Sequence, residues 1–173
     1  MFDIRKETNN TIELANKILS EVYSNYNTPT IKEIVYTKAR SYWAMCKCLG
    51  GNKYQLRISD IFELIPDENI ARCRFTSTII HELIHTISGC MNHGRRFHLI
   101  CNLVNCKYPQ YKLQTTTTSE EVGIVIEEKT PRYLVVCEHC GKEYKYWKKP
   151  RYTLDNYVCG NCKHDNFKLV ENF

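Results

Sequence analysis

A chain of 173 residues, 43% hydrophobic and 25% charged, can bury the core of one domain plus a small appendage, which excludes a disordered tail. No run approaches the roughly 18 apolar residues of a membrane span, and MFDIRKETNN lacks the apolar stretch of a signal peptide, so a cytoplasmic protein without membrane contact is expected. The formal net charge of +5 is uneven: residues 71 to 119 hold six Lys/Arg against one Asp/Glu, while the parts before and after balance at nine against nine, and a positive field there favours acidic partners.

Ile12, Ala15, Ile18, Leu19, Val22, Tyr23 and Tyr26 recur at three-and-four spacing and predict an amphipathic helix within residues 8 to 26, closed off by Pro29. EIVYTK, SYWAMCKC and YQLRIS are rich in β-branched and aromatic residues, and LGGN offers a turn between the second and third; a small antiparallel sheet is expected. Asp60 is expected to cap a short helix, IFELI, that stops at Pro66, and Asp67 or Asn69 to cap the next. That helix runs through RCRFTSTIIHELIHTIS and ends near Gly89, a residue suited to the left-handed position past a helix. A further helix is predicted from about Arg95 to Lys107, with Phe97, Ile100, Cys101 and Val104 on one face and Pro109 beyond its end. QTTTTSEE, residues 114 to 121, has nothing to bury and reads as a linker, after which VGIVIEE and RYLVV read as strands. The chain therefore divides into residues 1–114 and 115–173.

The stretch HELIH carries the first chemistry. His81 and His85 are four apart, so on a helix they leave one face a single turn apart, the spacing at which two imidazoles share one ion. Glu82 beside them can reach a water on that ion rather than the ion itself. The flanks Ile79, Ile80, Leu83, Ile84 and Ile87 are apolar nearly all round, so the helix is expected to be buried, and a buried His-Glu-His set needs partners.

A hydrolytic zinc site needs three protein ligands and an open position. Between Glu82 and Glu120 there is no Asp or Glu, which argues against a glutamate from the following helix, and the metzincin spacing would place its third histidine at Met91. His93 is the better candidate, after Gly89 lets the chain turn and beside Gly94; His98 competes with it, and Cys90 comes third.

Cys137-x2-Cys140 and Cys159-x2-Cys162 are separated by a stretch inside the range of a four-thiolate zinc ribbon, with Gly141 and Gly160 close to the two turns. The alternative, disulfides or unliganded thiols, suits a reducing compartment poorly. His139 and His164 are read as surface residues because four cysteines already complete the set. The remaining cysteines, 46, 48, 73, 90, 101 and 106, are read as small buried apolar residues. Between the knuckles, Lys145, Lys148, Lys149 and Arg151 are interleaved with Trp147 and tyrosines, so cations can follow phosphates while an aromatic face stacks on a base; the plainer alternative is a hairpin whose aromatics fill its own core.

HELIH followed after a short turn by HGRRF resembles the H-E-x-x-H…H-G-x-x-F/W pattern of SprT-like zinc metallopeptidases, the family that includes Spartan, some of whose members carry a C-terminal zinc ribbon. The resemblance implies an α+β, zincin-like peptidase domain over residues 1–114, with a short antiparallel sheet and the H-E-x-x-H helix, then a β zinc ribbon within 115–173. It implies a catalytic zinc on His81, His85 and His93, Glu82 as general base, Phe97 packed behind the third ligand, and a structural zinc on Cys137, Cys140, Cys159 and Cys162. It further implies a monomeric endopeptidase acting on proteins associated with or attached to DNA. Where relatives often have a proline, Arg95 stands here, and Arg96 follows it. The rival reading is a non-catalytic nucleic-acid-binding or regulatory protein whose histidine site is structural.

Overall fold

The computed structural model of the protein describes residues 1–114, 120–124, 131–150 and 157–171. The chain divides into two compact units, Met1–Val125 and Ile126–Phe173. This boundary lies later than the expected division at 114/115. Val122 and Ile124 are buried, and Glu121 faces Arg74 at 3.9 Å, so the segment after the threonine tract belongs to the first unit. Residues 115–119 of that tract fall outside the described residues.

In the first unit, α1 (Ile4–Val22) begins earlier than its apolar periodicity predicts, because Asp3 caps it: the carboxylate accepts from the backbone N–H of Arg5 at 3.0 Å and of Lys6 at 3.3 Å. Ile4, Ala15, Ile18 and Leu19 form its buried stripe, while Tyr23 and Tyr26 lie beyond its end.

Next come β1 (Thr30–Thr37), β2 (Ala44–Gly50) and β3 (Lys53–Ser59), arranged in the order β1-β3-β2. The sheet is mixed, which corrects the expectation of an antiparallel one. β2 and β3 form a hairpin through Gly50, Gly51 and Asn52, all at positive φ, whereas β1 runs parallel to β3. The hairpin is local and legible in LGGN. The β1–β3 pairing joins strands separated by a third, and no local pattern encodes it. Tyr54, Leu56 and Ile58 turn inward from the central strand, and β2 is left at the edge.

Ser59, not Asp60, caps the 3₁₀ turn Asp60–Leu64 by accepting from the Ile61 N–H at 3.1 Å; Asp60 pairs instead with Arg40. α2 (Glu68–Ile84) is capped by Asp67, which accepts from Asn69 and Ile70 at 2.8 and 3.0 Å. Phe75, Ile79, Ile80, Leu83 and Ile84 on this helix are fully buried, as an apolar surround predicts. Edge-to-face aromatic pairs run from Phe2 to Phe75 at 5.4 Å, from Phe75 to Phe62 at 5.0 Å and from Phe62 to Trp43 at 5.0 Å, which anchors the approach to β2 against the core. α3 (Arg95–Lys107) buries Phe97, Ile100, Cys101 and Val104, the face its periodicity predicts.

The second unit holds β4 (Tyr133–Cys137), β5 (Glu143–Tyr146) and β6 (Phe167–Glu171) in an antiparallel sheet of order β5-β4-β6. VGIVIEE does not begin as a strand: Glu120–Val122 is a 3₁₀ turn, and residues 125–128 lie outside the described part. Among the described residues, no helix is long and apolar enough to cross a membrane. The described residues are thus α+β, with three α-helices and two small sheets.

Candidate metal centres

α2 carries His81 and Glu82 in its last turn, and His85 sits at the cap position just after it. The helix stops a turn short of the expected end. Thr86 Oγ1 donates to the Leu83 carbonyl at 2.7 Å, the Ile87 and Cys90 N–H groups close two tight turns, and Gly89 takes a φ of 80°. This turn brings the Cys90 carbonyl back to His85 Nδ1 at 2.7 Å. From the other side, the Gln114 carbonyl meets His81 Nδ1 at 3.1 Å. Gln114 is held there because Asn105 clamps its neighbour Leu113, donating to the Leu113 carbonyl at 3.0 Å and accepting from its N–H at 2.7 Å.

A carbonyl can only accept, so both Nδ1 atoms carry protons and both Nε2 atoms present lone pairs. Those lone pairs converge. His81 Nε2 lies 3.2 Å from His85 Nε2 and 3.0 Å from His93 Nε2. Between His81 and His85, unprotonated nitrogens facing each other at this range repel unless a cation or a donor sits between them. Donors at 2.0–2.1 Å around a tetrahedral zinc are themselves about 3.3 Å apart, so the trio fits that ion. His81, His85 and His93 form one group able to hold a metal; neither His98 nor Cys90 belongs to it. Phe97, fully buried, backs all three rings rather than the third alone, at centroid distances of 4.8, 4.8 and 4.7 Å from His81, His85 and His93.

Burial, together with the neighbouring imidazoles, lowers the His81 pKa to about 4, against the pull of the Gln114 carbonyl. The His85 pKa is lowered for the same first reason. Both rings are therefore neutral and ready to bind a cation at neutral pH. Glu82 is 6% exposed; burial pushes its carboxyl up to about 7, opposed by the Cys46 backbone N–H. His81, Glu82, His85 and His93 line a cleft of ≈ 440 Å³ whose other wall is Trp43, Met45 and Cys46, leading into and along edge strand β2.

In the second unit, Cys137, Cys140, Cys159 and Cys162 form a second group able to hold a metal ion, compatible with zinc. Cys137 and Cys162 sulfurs are 3.5 Å apart, and those of Cys140 and Cys159 3.6 Å, near the roughly 3.8 Å expected of thiolates at 2.3 Å around one tetrahedral ion. Each knuckle turns alike: the Gly141 N–H reaches the Cys137 carbonyl at 2.9 Å and the Lys163 N–H reaches the Cys159 carbonyl at 2.9 Å. The positive φ falls on Gly141 and on Lys163, not on Gly160. Tyr144 supports the site through its hydroxyl, which accepts from the Gly160 N–H at 2.8 Å and donates to Cys159 Sγ at 3.3 Å. With the backbone N–H groups of Cys162 and Asn161, it pulls the Cys159 thiol down to about 5.

Tyr144 and Tyr146 are half-buried, so part of the aromatic stretch packs the ribbon itself. Trp147, 56% exposed, does not, and Lys145, Lys148 and Lys149 are exposed around it; Arg151 lies outside the described residues. Of the other cysteines, Cys90 and Cys101 are buried as expected, but Cys48 and Cys106 are exposed. Sequence reasoning missed Asn105 and Gln114 and gave Tyr144 only a place among the aromatics beside the basic residues, although it lies four residues past Cys140.

The fold and these clusters define an α+β protein in which the described residues include the histidine trio and the cysteine quartet, each able to hold a metal ion. No family model, curated protein or solved structure matches the chain.

Proposed function

We propose that the chain is a zinc-dependent endopeptidase of SprT-like, zincin-like type that acts on DNA-associated proteins. The observation that supports it is the convergence of three Nε2 atoms at 3.0 to 3.2 Å inside a cleft that also admits the Glu82 carboxylate. Zinc, when bound, supplies Lewis acidity and a water acidified to a pKa of about 7.

The chain's own residues do the rest. The carbonyls of Cys90 and Gln114 fix the ligand tautomers, and Phe97 fixes the ring planes. Glu82, held by the Cys46 N–H in the same cleft, takes a proton from the attacking water and returns it to the departing amine. Trp43 and Met45 give the cleft an apolar wall for a substrate side chain. On the second unit, Trp147 offers a stacking face with Lys145, Lys148 and Lys149 about it, which favours a contact with exposed bases and phosphates.

Glu82→Gln is the direct test. Zinc content should be unchanged while cleavage of a DNA-bound protein falls about 10²- to 10⁴-fold. Equal cleavage by both forms would remove the peptidase reading and leave the non-catalytic, nucleic-acid-binding one.

A further inference from the structure

Two histidines of the second unit take no part in either centre described above. His139 sits within the first knuckle, between Cys137 and Cys140, and His164 lies two residues past Cys162. Both are exposed, yet their rings stack face to face with centroids 3.6 Å apart and an interplanar angle of 9°. Aromatic quadrupoles prefer offset or edge-to-face contacts at about 4.5–7 Å over such a sandwich. Being exposed, the pair has no enclosing core to impose it.

The protons are arranged for binding. His164 Nδ1 lies 3.0 Å from the Cys162 carbonyl, an acceptor only, so the proton is on Nδ1 and the Nε2 lone pair is free. One nitrogen of each ring and the Cys162 sulfur all lie within 4.8 Å of one another.

We propose that His139, His164 and Cys162 form a further metal site at the surface, in which the Cys162 thiolate bridges the four-cysteine ion and one more borderline-soft divalent ion such as zinc. A thiolate bound to one ion keeps lone pairs for another. Four thiolates around one divalent ion carry a net charge of about −2, which draws a second cation to the knuckle. Two neutral imidazoles and a sulfur suit zinc or copper and disfavour magnesium and calcium. An exposed site of this kind exchanges its ion with solvent, so it provides a reversible position beside a closed one. The proposal rests on the four-thiolate ion and is independent of the peptidase reading.

The test counts zinc on the full chain as free zinc is raised, for the wild type and for the His139→Ala/His164→Ala variant. Wild type should take up one equivalent more than the variant, at lower affinity than the rest. Equal uptake by the two proteins overturns the proposal. The variant's own plateau reports separately on the cysteine quartet and histidine trio: loss of the trio's equivalent lowers both curves and leaves their difference to decide this proposal, whereas loss of the quartet's equivalent overturns it. Cobalt added to the zinc-loaded wild type should bring a thiolate-to-cobalt charge-transfer band that the variant lacks. Cobalt bound by the wild type without that band refutes the bridging role of Cys162.

Discussion

The histidine trio of the first unit and the cysteine quartet of the second differ in what remains once their donors are counted. Around the quartet, four sulfurs are enough to fill a tetrahedral ion's positions, and two backbone turns hold the knuckles from within. Around the trio, three nitrogens leave a corner open to a cleft, and the rings are held from outside by two carbonyls and a buried phenylalanine. A closed set leaves no position at its own ion for a reactant. An open one, with a carboxylate in the same cleft, can do chemistry. Their supports differ too: the quartet sits on a small three-stranded sheet with few buried residues, whereas the trio is placed by a core built from α1, α2, α3 and the mixed sheet.

The sharpest way to break this contrast is to remove one donor from the closed site. Cys159→Ser should unfold the second unit, since a structural zinc of this type contributes about 10–16 kcal/mol of apparent binding energy, while the first unit keeps its structure. Amide dispersion in the two units measures this; a ribbon that stays ordered after losing its metal would refute the dependence.

A smaller effect separates the units by pH in the metal-free chain. His81 and His85 have lowered folded pKa values, so the unfolded chain, with histidines near 6.5, binds more protons than the native one as pH falls from 6.5 toward 4. These two groups leave stability unchanged above that window and reduce it within the window. Glu82, raised to about 7, works the other way: its native form holds a proton that the unfolded carboxyl releases, so acidification favours the fold through it. The imidazoles and the carboxyl thus oppose one another, and Glu82→Gln removes the carboxyl's share. Urea titrations at pH 7 and pH 5 should show the variant losing more stability on acidification than the wild type does. An unchanged slope in the variant would contradict the burial of Glu82.

The smallest effect concerns the knuckles themselves. Lys163 holds a φ of 63° where the matching residue of the other knuckle is Gly141, at 70°. A side chain in the left-handed region costs energy that glycine avoids, so Lys163→Gly should stabilise the second unit by about 0.5–1 kcal/mol. Thermal melting of the loaded protein reads this, and a lower melting temperature would count against the equivalence of the two turns.

Much of the architecture was legible where it is local. The period of Phe97, Ile100, Cys101 and Val104 predicts α3 from Arg95 to Lys107, and the structure has that helix with that face buried. LGGN predicts the hairpin turn, and of the two caps expected for α2, Asp67 and Asn69, the structure uses Asp67. The parallel pairing of β1 with β3 was not legible, because it depends on a strand placed between them in sequence but not in space. Nor was the support of the histidines. The carbonyls of Cys90 and Gln114 belong to the backbone, so no residue type announces them, and the Asn105 clamp acts through Leu113 at one remove. Ser59 took the cap expected of Asp60 because Arg40 lay within reach of the aspartate.

The trio carries the account, and anomalous scattering at the zinc edge from crystals of the zinc-loaded chain tests it most directly. A peak should lie about 2.0–2.1 Å from Nε2 of His81, His85 and His93, with the remaining position free of any protein donor. No peak among the three rings, or a fourth protein group closing the site, would contradict it.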